Sequence, residues 1–240
     1  MSRTVKKRLI ATFSAITLCV CAVTIGLQAL EVYGSALLSS YSMRQRKAAH
    51  YARIASHVEA HSTVFYGDSL TEMYDLTYWY PGKHYVNRGI SGDTTDHMIE
   101  RINTNLIDLQ PDTVVLLAGA NDFRAGQSVD TVVQNLRTII ETVQRELPNT
   151  RILVQSLYPV HPSEEILMSQ KLLRQLDNSK ILAANRELQL VCAELAVSYV
   201  DVHARLTDSQ GNLRREFTID GLHLNTAGYR VVTDTLDQWL

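Results

Sequence analysis

Two kinds of run alternate along this chain from Ser62 onward: short apolar stretches of β-formers, and longer segments of helical period. That alternation predicts a parallel sheet with crossover helices. The predicted strands are Thr63–Tyr66, His84–Asn87, Thr113–Ala118, Arg151–Gln155 and Ser198–Val202. The predicted helices are Thr95–Asp108, Asp130–Glu146, Glu164–Leu195 with a break allowed, and Asn225–Leu240. Thr113–Ala118 is apolar without alternation, which fits a central strand covered on both faces. In such sheets, sites form just beyond the C-terminal ends of the strands.

The N-terminal part reads differently. Arg3, Lys6, Lys7 and Arg8 precede an uncharged run from Leu9 to Leu30, long enough to span a hydrocarbon core as a helix. The expected organisation is a cytoplasmic basic flank over 1–8, a transmembrane signal anchor over 9–30, a connector helix over 31–61 and a catalytic-type domain over 62–240. On that reading the domain faces outward from a bacterial-type cell envelope. A cleaved signal peptide is the competitor, with Gly34-Ser35-Ala36 as its site and a secreted product. A core helix is the third reading, though one rarely lacks all charge over this length. The basic cluster Arg44, Arg46 and Lys47 reads as a solvated face.

Charge and cysteine content narrow the field. A net charge of −2, with no Lys/Arg stripe through the domain, excludes an electrostatic case for nucleic acid. Of three cysteines, Cys19 and Cys21 lie in the apolar N-terminal run, so Cys192 is alone in the domain and reads as core. No Cys/His zinc pattern occurs.

The chemistry concentrates at strand ends. Ser62-Thr63-Val64-Phe65-Tyr66-Gly67-Asp68-Ser69-Leu70-Thr71 reads as a buried strand, a Gly-Asp turn and a helix starting near Ser69. A serine there presents its hydroxyl at a strand edge and its N–H at a helix start, both useful to a nucleophile. Helix capping by Asp68 and Ser69 is the plainer alternative. The second strand runs into Asn87-Arg88-Gly89-Ile90-Ser91-Gly92-Asp93-Thr94-Thr95, the third into Gly119-Ala120-Asn121-Asp122, and Asp220-Gly221-Leu222-His223-Leu224-Asn225 precedes the last helix. Ester hydrolysis needs an activated hydroxyl, a base and donors to an oxyanion. Ser69, His223 and Asp220 can supply the first two with an orienting carboxylate. The Ser69 N–H, the Gly89 N–H and the Asn121 amide can supply the third, Gly89 being glycine so that its N–H can approach substrate.

These blocks resemble the GDSL, or SGNH, hydrolases, named for Ser, Gly, Asn and His. The counterparts are Ser69, Gly89, Asn121 and His223, with Asp220 as the aspartate partner. Gly-Ile-Ser-Gly-Asp-Thr-Thr and Asp-Gly-Leu-His-Leu-Asn are most similar to the branch containing platelet-activating-factor acetylhydrolase subunits. The resemblance covers Ser62 to Leu240; Ala120 stands where threonine is common. It implies a three-layer α/β/α sandwich with a five-stranded parallel sheet of flavodoxin-like order. It also implies a serine esterase acting on short-chain, chiefly acetyl, esters of lipids or carbohydrates, with no metal or cofactor. A lysophospholipase or thioesterase for longer chains, and a non-catalytic binder on the same scaffold, are the alternatives.

Other residues are weighed against these. Ser91 is a rival nucleophile, but it lacks a Gly-x-Ser-x-Gly elbow. Asp122 reads as holding loop geometry. His161 reads as a solvated loop residue with pocket lining as the alternative, and His203 lacks a motif partner. Tyr78-Trp79-Tyr80-Pro81 reads as a core edge or a pocket wall.

Overall fold

In the computed structural model, residues 23–28, 34–35, 39, 41–162, 173 and 175–240 are described. The chain divides into two compact units, Met1–Gln45 and Arg46–Leu240. In the first, residues 23–28 are helical. In the second, a helical segment over 46–54 and a 3₁₀ turn at Ala55–His57 precede the sheet.

Five strands form that sheet: β1 (Thr63–Gly67), β2 (Tyr85–Gly89), β3 (Thr113–Leu117), β4 (Arg151–Gln155) and β5 (Ser198–Val200). Their order is β2-β1-β3-β4-β5, and every pairing is parallel. β1 and β3 sit inside the sheet and are almost wholly buried, as the unbroken apolar run Thr113–Leu117 requires. Successive side chains point to opposite faces. Val64, Tyr66, Val114, Leu116, Ile152 and Val154 enter one core cluster, and Phe65, Val115, Leu117 and Leu153 enter the other.

The helices complete two outer layers. In chain order they are α1 (Ser69–Glu72), α2 (Leu76–Trp79), α3 (Thr95–Asn105), α4 (Ala120–Arg124), α5 (Val129–Glu146), α6 (Asn178–Glu194), α7 (His203–Leu206) and α8 (Thr226–Leu236). Buried residues of α3, α5 and α6 join the first cluster, whereas those of α1, α2, α7 and α8 join the second. The result is the expected α/β/α sandwich with a five-stranded parallel sheet.

Boundaries differ where local bonding decides them. β5 stops at Val200 because the Val202 N–H turns back to the Val200 carbonyl at 3.0 Å. α3 ends at Asn105 and gives way to a 3₁₀ turn over Ile107–Leu109. Asn225 caps α8 from outside, accepting from Ala227 and Gly228 N–H. Of the helix expected over Glu164–Leu195, Asn178–Glu194 is seen and 163–172 lies outside the described residues.

The expected membrane anchor is overturned. Among the described residues no helix is long and apolar enough to cross a membrane. Residues 23–28, the described part of the run Leu9–Leu30, are helical. The rest of that run lies outside the described residues. Attachment through this segment, and the outward-facing envelope location derived from it, fall with it.

Candidate active site

Ser69 is the first residue of α1, immediately beyond β1. Asp68 caps that helix, its Oδ1 accepting the Leu70 N–H at 2.9 Å. α1 is locked from two sides. Asn87 on β2 donates its amide to the carbonyls of Thr71 (2.7 Å) and Tyr74 (3.0 Å). On the other side Tyr229 of α8 donates its hydroxyl to the Leu70 carbonyl at 2.9 Å and stacks on Tyr74 at 5.1 Å. The Ser69 N–H makes no hydrogen bond among the described residues.

The loop before α8 brings His223 to Ser69 across 154 residues of sequence: Ser69 Oγ lies 3.0 Å from His223 Nε2. His223 Nδ1 lies 2.7 Å from Asp220 Oδ2. With Nδ1–H donating to the carboxylate, Nε2 is left as the acceptor of the serine proton. The Asp220 Oδ1 atom accepts the backbone N–H groups of Leu222 (3.0 Å) and His223 (2.8 Å), closing a tight turn. Burial alone would raise the Asp220 pKa. Hydrogen bonds from the His223 ring and these backbone donors outweigh it, holding the carboxyl below its ordinary value. The loop is braced by the Gly221 N–H to Thr218 Oγ1 (2.8 Å), by Thr218 Oγ1 to the His223 carbonyl (2.8 Å) and by the His161 N–H to the Gly221 carbonyl (2.8 Å). His161, whose ring Nδ1–H reaches the Leu213 carbonyl at 2.8 Å, is thus a half-buried brace rather than a solvated residue.

Asn121 belongs to α4, beyond β3. Its Nδ2 donates to the Asp93 carbonyl at 2.9 Å, and its Oδ1 accepts from Arg124 at 3.0 Å. These partners fix the amide's orientation and leave its second N–H unspent. Gly89 departs from expectation. Its N–H donates to Asn87 Oδ1 at 2.9 Å, so it is already engaged. Its lack of a side chain serves α1: a Cβ there would stand 2.2 Å from the Glu72 nitrogen. The next glycine lies in the turn Ile90–Asp93, closed by the Asp93 N–H to the Ile90 carbonyl at 3.1 Å. Gly92 occupies the third position of that turn at φ +81, the left-handed region a type II turn reserves for glycine. Its N–H makes no hydrogen bond among the described residues.

Behind the site lies a buried group of carboxylates. Asp93 pairs with Arg101 at 2.6 Å, and Arg101 also donates to the Gly67 carbonyl at 3.0 Å. Burial pushes Asp68 up to about 7, with Asp122 and Asp93 adding to it and the Leu70 N–H opposing. Burial likewise raises Asp122 to about 6 against hydrogen bonds from the Thr95 N–H and hydroxyl. Asp122 therefore ties α4 to the start of α3, in keeping with a role in loop geometry.

The remaining candidates fall away from this centre. Ser91 is exposed, and its hydroxyl has no histidine partner among the described residues. His203 starts α7, its N–H bonded to Ser156 Oγ at 2.7 Å, and burial lowers its pKa. Cys192 is buried on α6, and burial pushes its thiol up to about 12. Tyr80 is core, whereas Tyr78 and Trp79 line an open cleft of about 640 Å³ with Met73, Ile219, Leu224 and Tyr229. Gly92, Arg124 and Glu72 are the site residues that sequence reasoning missed. Of these only Gly92, inside a turn-forming stretch, carried a local signal.

Against known proteins, the GDSL-like Lipase/Acylhydrolase family matches residues 61–231. The platelet-activating factor acetylhydrolase IB subunit alpha1 of Homo sapiens is 30% identical over 189 residues, covering 74% of each chain. A structure from Streptococcus pneumonia described as a platelet activating factor superposes with a TM-score of 0.79 at 32% identity. It covers 88% of this chain and 98% of its own. A mutant acetyl-xylooligosaccharide esterase from Geobacillus Stearmophilus shares the fold, with a TM-score of 0.58 at 18% identity over 75% of this chain and 94% of its own.

Proposed function

Since this chain belongs to the GDSL-like lipase/acylhydrolase family of hydrolases, we propose that it is a serine esterase that cleaves short-chain acyl esters, acetyl esters above all. The observation that carries this reading is the continuous array Ser69 Oγ–His223 Nε2 (3.0 Å) and His223 Nδ1–Asp220 Oδ2 (2.7 Å). Ser69 Oγ attacks the ester carbonyl while His223 Nε2 takes its proton, and His223 returns that proton to the departing alcohol. Water, deprotonated by the same nitrogen, then releases the acid from the acyl-serine. Asp220, ionised because its hydrogen bonds outweigh burial, stabilises the imidazolium in both halves. The oxyanion is held by the Ser69 N–H, the unspent N–H of Asn121 and the Gly92 N–H, which takes the place expected of Gly89. The acetyl preference is supported by the acetylhydrolase among the relatives.

Ser69→Ala is expected to abolish hydrolysis of p-nitrophenyl acetate and labelling by a serine-directed phosphonate, while Ser91→Ala keeps most of both. Activity surviving in Ser69→Ala but lost in Ser91→Ala would overturn the mechanism. A second reading, hydrolysis of longer acyl esters or thioesters, is favoured by the cleft lined by Met73, Tyr78, Trp79 and Ile219 beside the His223 loop. A p-nitrophenyl series of increasing chain length separates the two. A kcat/KM maximum at acetyl supports the first, and one at octanoyl or beyond the second.

A further inference from the structure

The family match begins at residue 61, yet side chains from the helical segment 46–54 reach the site's framework. Lys47 forms an ion pair with Glu72, the last residue of α1 and one turn beyond Ser69. The second oxygen of the Glu72 carboxylate accepts the N–H of Ser91, inside the turn that carries Gly92. One turn along the same segment, Tyr51 donates its hydroxyl to the Gly89 carbonyl at 3.2 Å, and its ring lies 4.6 Å under the Arg88 guanidinium. The turn Ile90–Asp93 is held at its ends by the Ile90 N–H to the Gly67 carbonyl (3.1 Å), the Asn121 amide to the Asp93 carbonyl (2.9 Å) and Arg101 to the Asp93 carboxylate (2.6 Å). Between them it is held by the Ser91 N–H to Glu72.

We propose that Lys47 and Glu72 are positioning residues for the oxyanion-binding turn, so that a segment outside the family domain completes the active site. The inference rests on the esterase reading above. Neither residue touches substrate. Glu72 sets the height of the turn, and with it the direction of the Gly92 N–H. Lys47 neutralises a carboxylate that would otherwise oppose the negative charge developing one turn away. The state of Glu72 agrees with this. Burial would raise its pKa, but the bonds from Lys47 and Ser91 hold it below the ordinary value.

The test uses the full chain with p-nitrophenyl acetate, active sites being counted by phosphonate titration so that misfolded protein does not lower kcat. Complete loss of one oxyanion donor costs ~10²–10³ in kcat, so a donor shifted but retained is expected to cost about tenfold. Glu72→Ala and Lys47→Met should each show that loss with KM within about twofold. Lys47→Arg should recover most of it. Because Lys47 acts through Glu72, the double variant should be no slower than Glu72→Ala alone. Wild-type kcat in Lys47→Met, or losses that multiply in the double variant, would overturn the inference while leaving the esterase reading intact. A wild-type chain without esterase activity or phosphonate labelling would overturn both.

Discussion

The amide of Asn121 shows how much of this site is decided by single side chains. An asparagine can present either end of its amide, and here Arg124 on Oδ1 and the Asp93 carbonyl on Nδ2 permit one orientation. Asn121→Ala should therefore lower kcat by ~10²–10³ with little change in KM, the loss typical of an oxyanion donor. Arg124→Met should cost about tenfold, short of that limit, since the donor remains but loses its brace. Steady-state kinetics on a neutral ester would check both, and a KM effect alone would make Asn121 a binding residue. At this scale the sequence was informative where chemistry announces itself. Asp-x-x-His within a turn-rich loop, Ser after Gly-Asp and Asn at a strand end were all readable. Gly89 was misread because the direction of a backbone N–H depends on neighbours, here Asn87 Oδ1, that residue type does not reveal.

Among the elements, the contact between α1 and β2 is the most demanding. The backbone of α1 lies where a side chain at Gly89 would be, 2.2 Å from the Glu72 nitrogen. Gly89→Ala should push α1 off β2 and displace Ser69 from His223, lowering both Tm and activity. Gly92→Ala adds the strain of a left-handed alanine, about 1–2 kcal/mol. It should keep the fold and lose activity through a tilted turn. Thermal melts of the two variants would separate the cases, and equal melting temperatures would refute the distinction. The long elements were legible from their periods, but Asn225, read as the first residue of the last helix, caps it from outside. α2, α4 and α7 were not legible, because four or five residues are too few to show a helical period, and α1 was read only as a helix start after the Gly-Asp turn. The Lys47–Glu72 pair was equally hidden, its partners being 25 residues apart in unlike segments.

Taken as a whole molecule, the domain stores ionisable groups beneath its site. A folded-state pKa of about 7 for Asp68 and about 6 for Asp122, against an ordinary 3.8, means the native state holds protons the unfolded chain has released. Stability contributed by these groups is present in full below pH 3.8 and is lost as pH rises through 6 and 7. The slope is at most about 1.4 kcal/mol per pH unit for each group. Asp68→Asn keeps a competent cap and removes one titration, so urea melts should show a shallower decline between pH 5 and 8. An unchanged slope would mean that Asp68 stays ionised, compensated by its surroundings. The five-stranded sandwich was legible in the alternation of runs, whereas the charge state of a buried carboxylate depends on a burial the sequence does not display.

Ser69 stands near the start of the domain and His223 near its end, 154 residues apart. A chain made on a ribosome releases its N-terminal part first. The growing polypeptide therefore carries its serine, and even most of its sheet, long before the imidazole that would activate it has been synthesised. No fragment ending before His223 can hydrolyse an ester by this route, however well β1 to β5 have assembled. On the proposed mechanism, reactivity waits for the segment that carries His223 and for Tyr229 of α8, whose hydroxyl bonds the Leu70 carbonyl of α1. On that mechanism, turnover therefore reports that synthesis has passed His223.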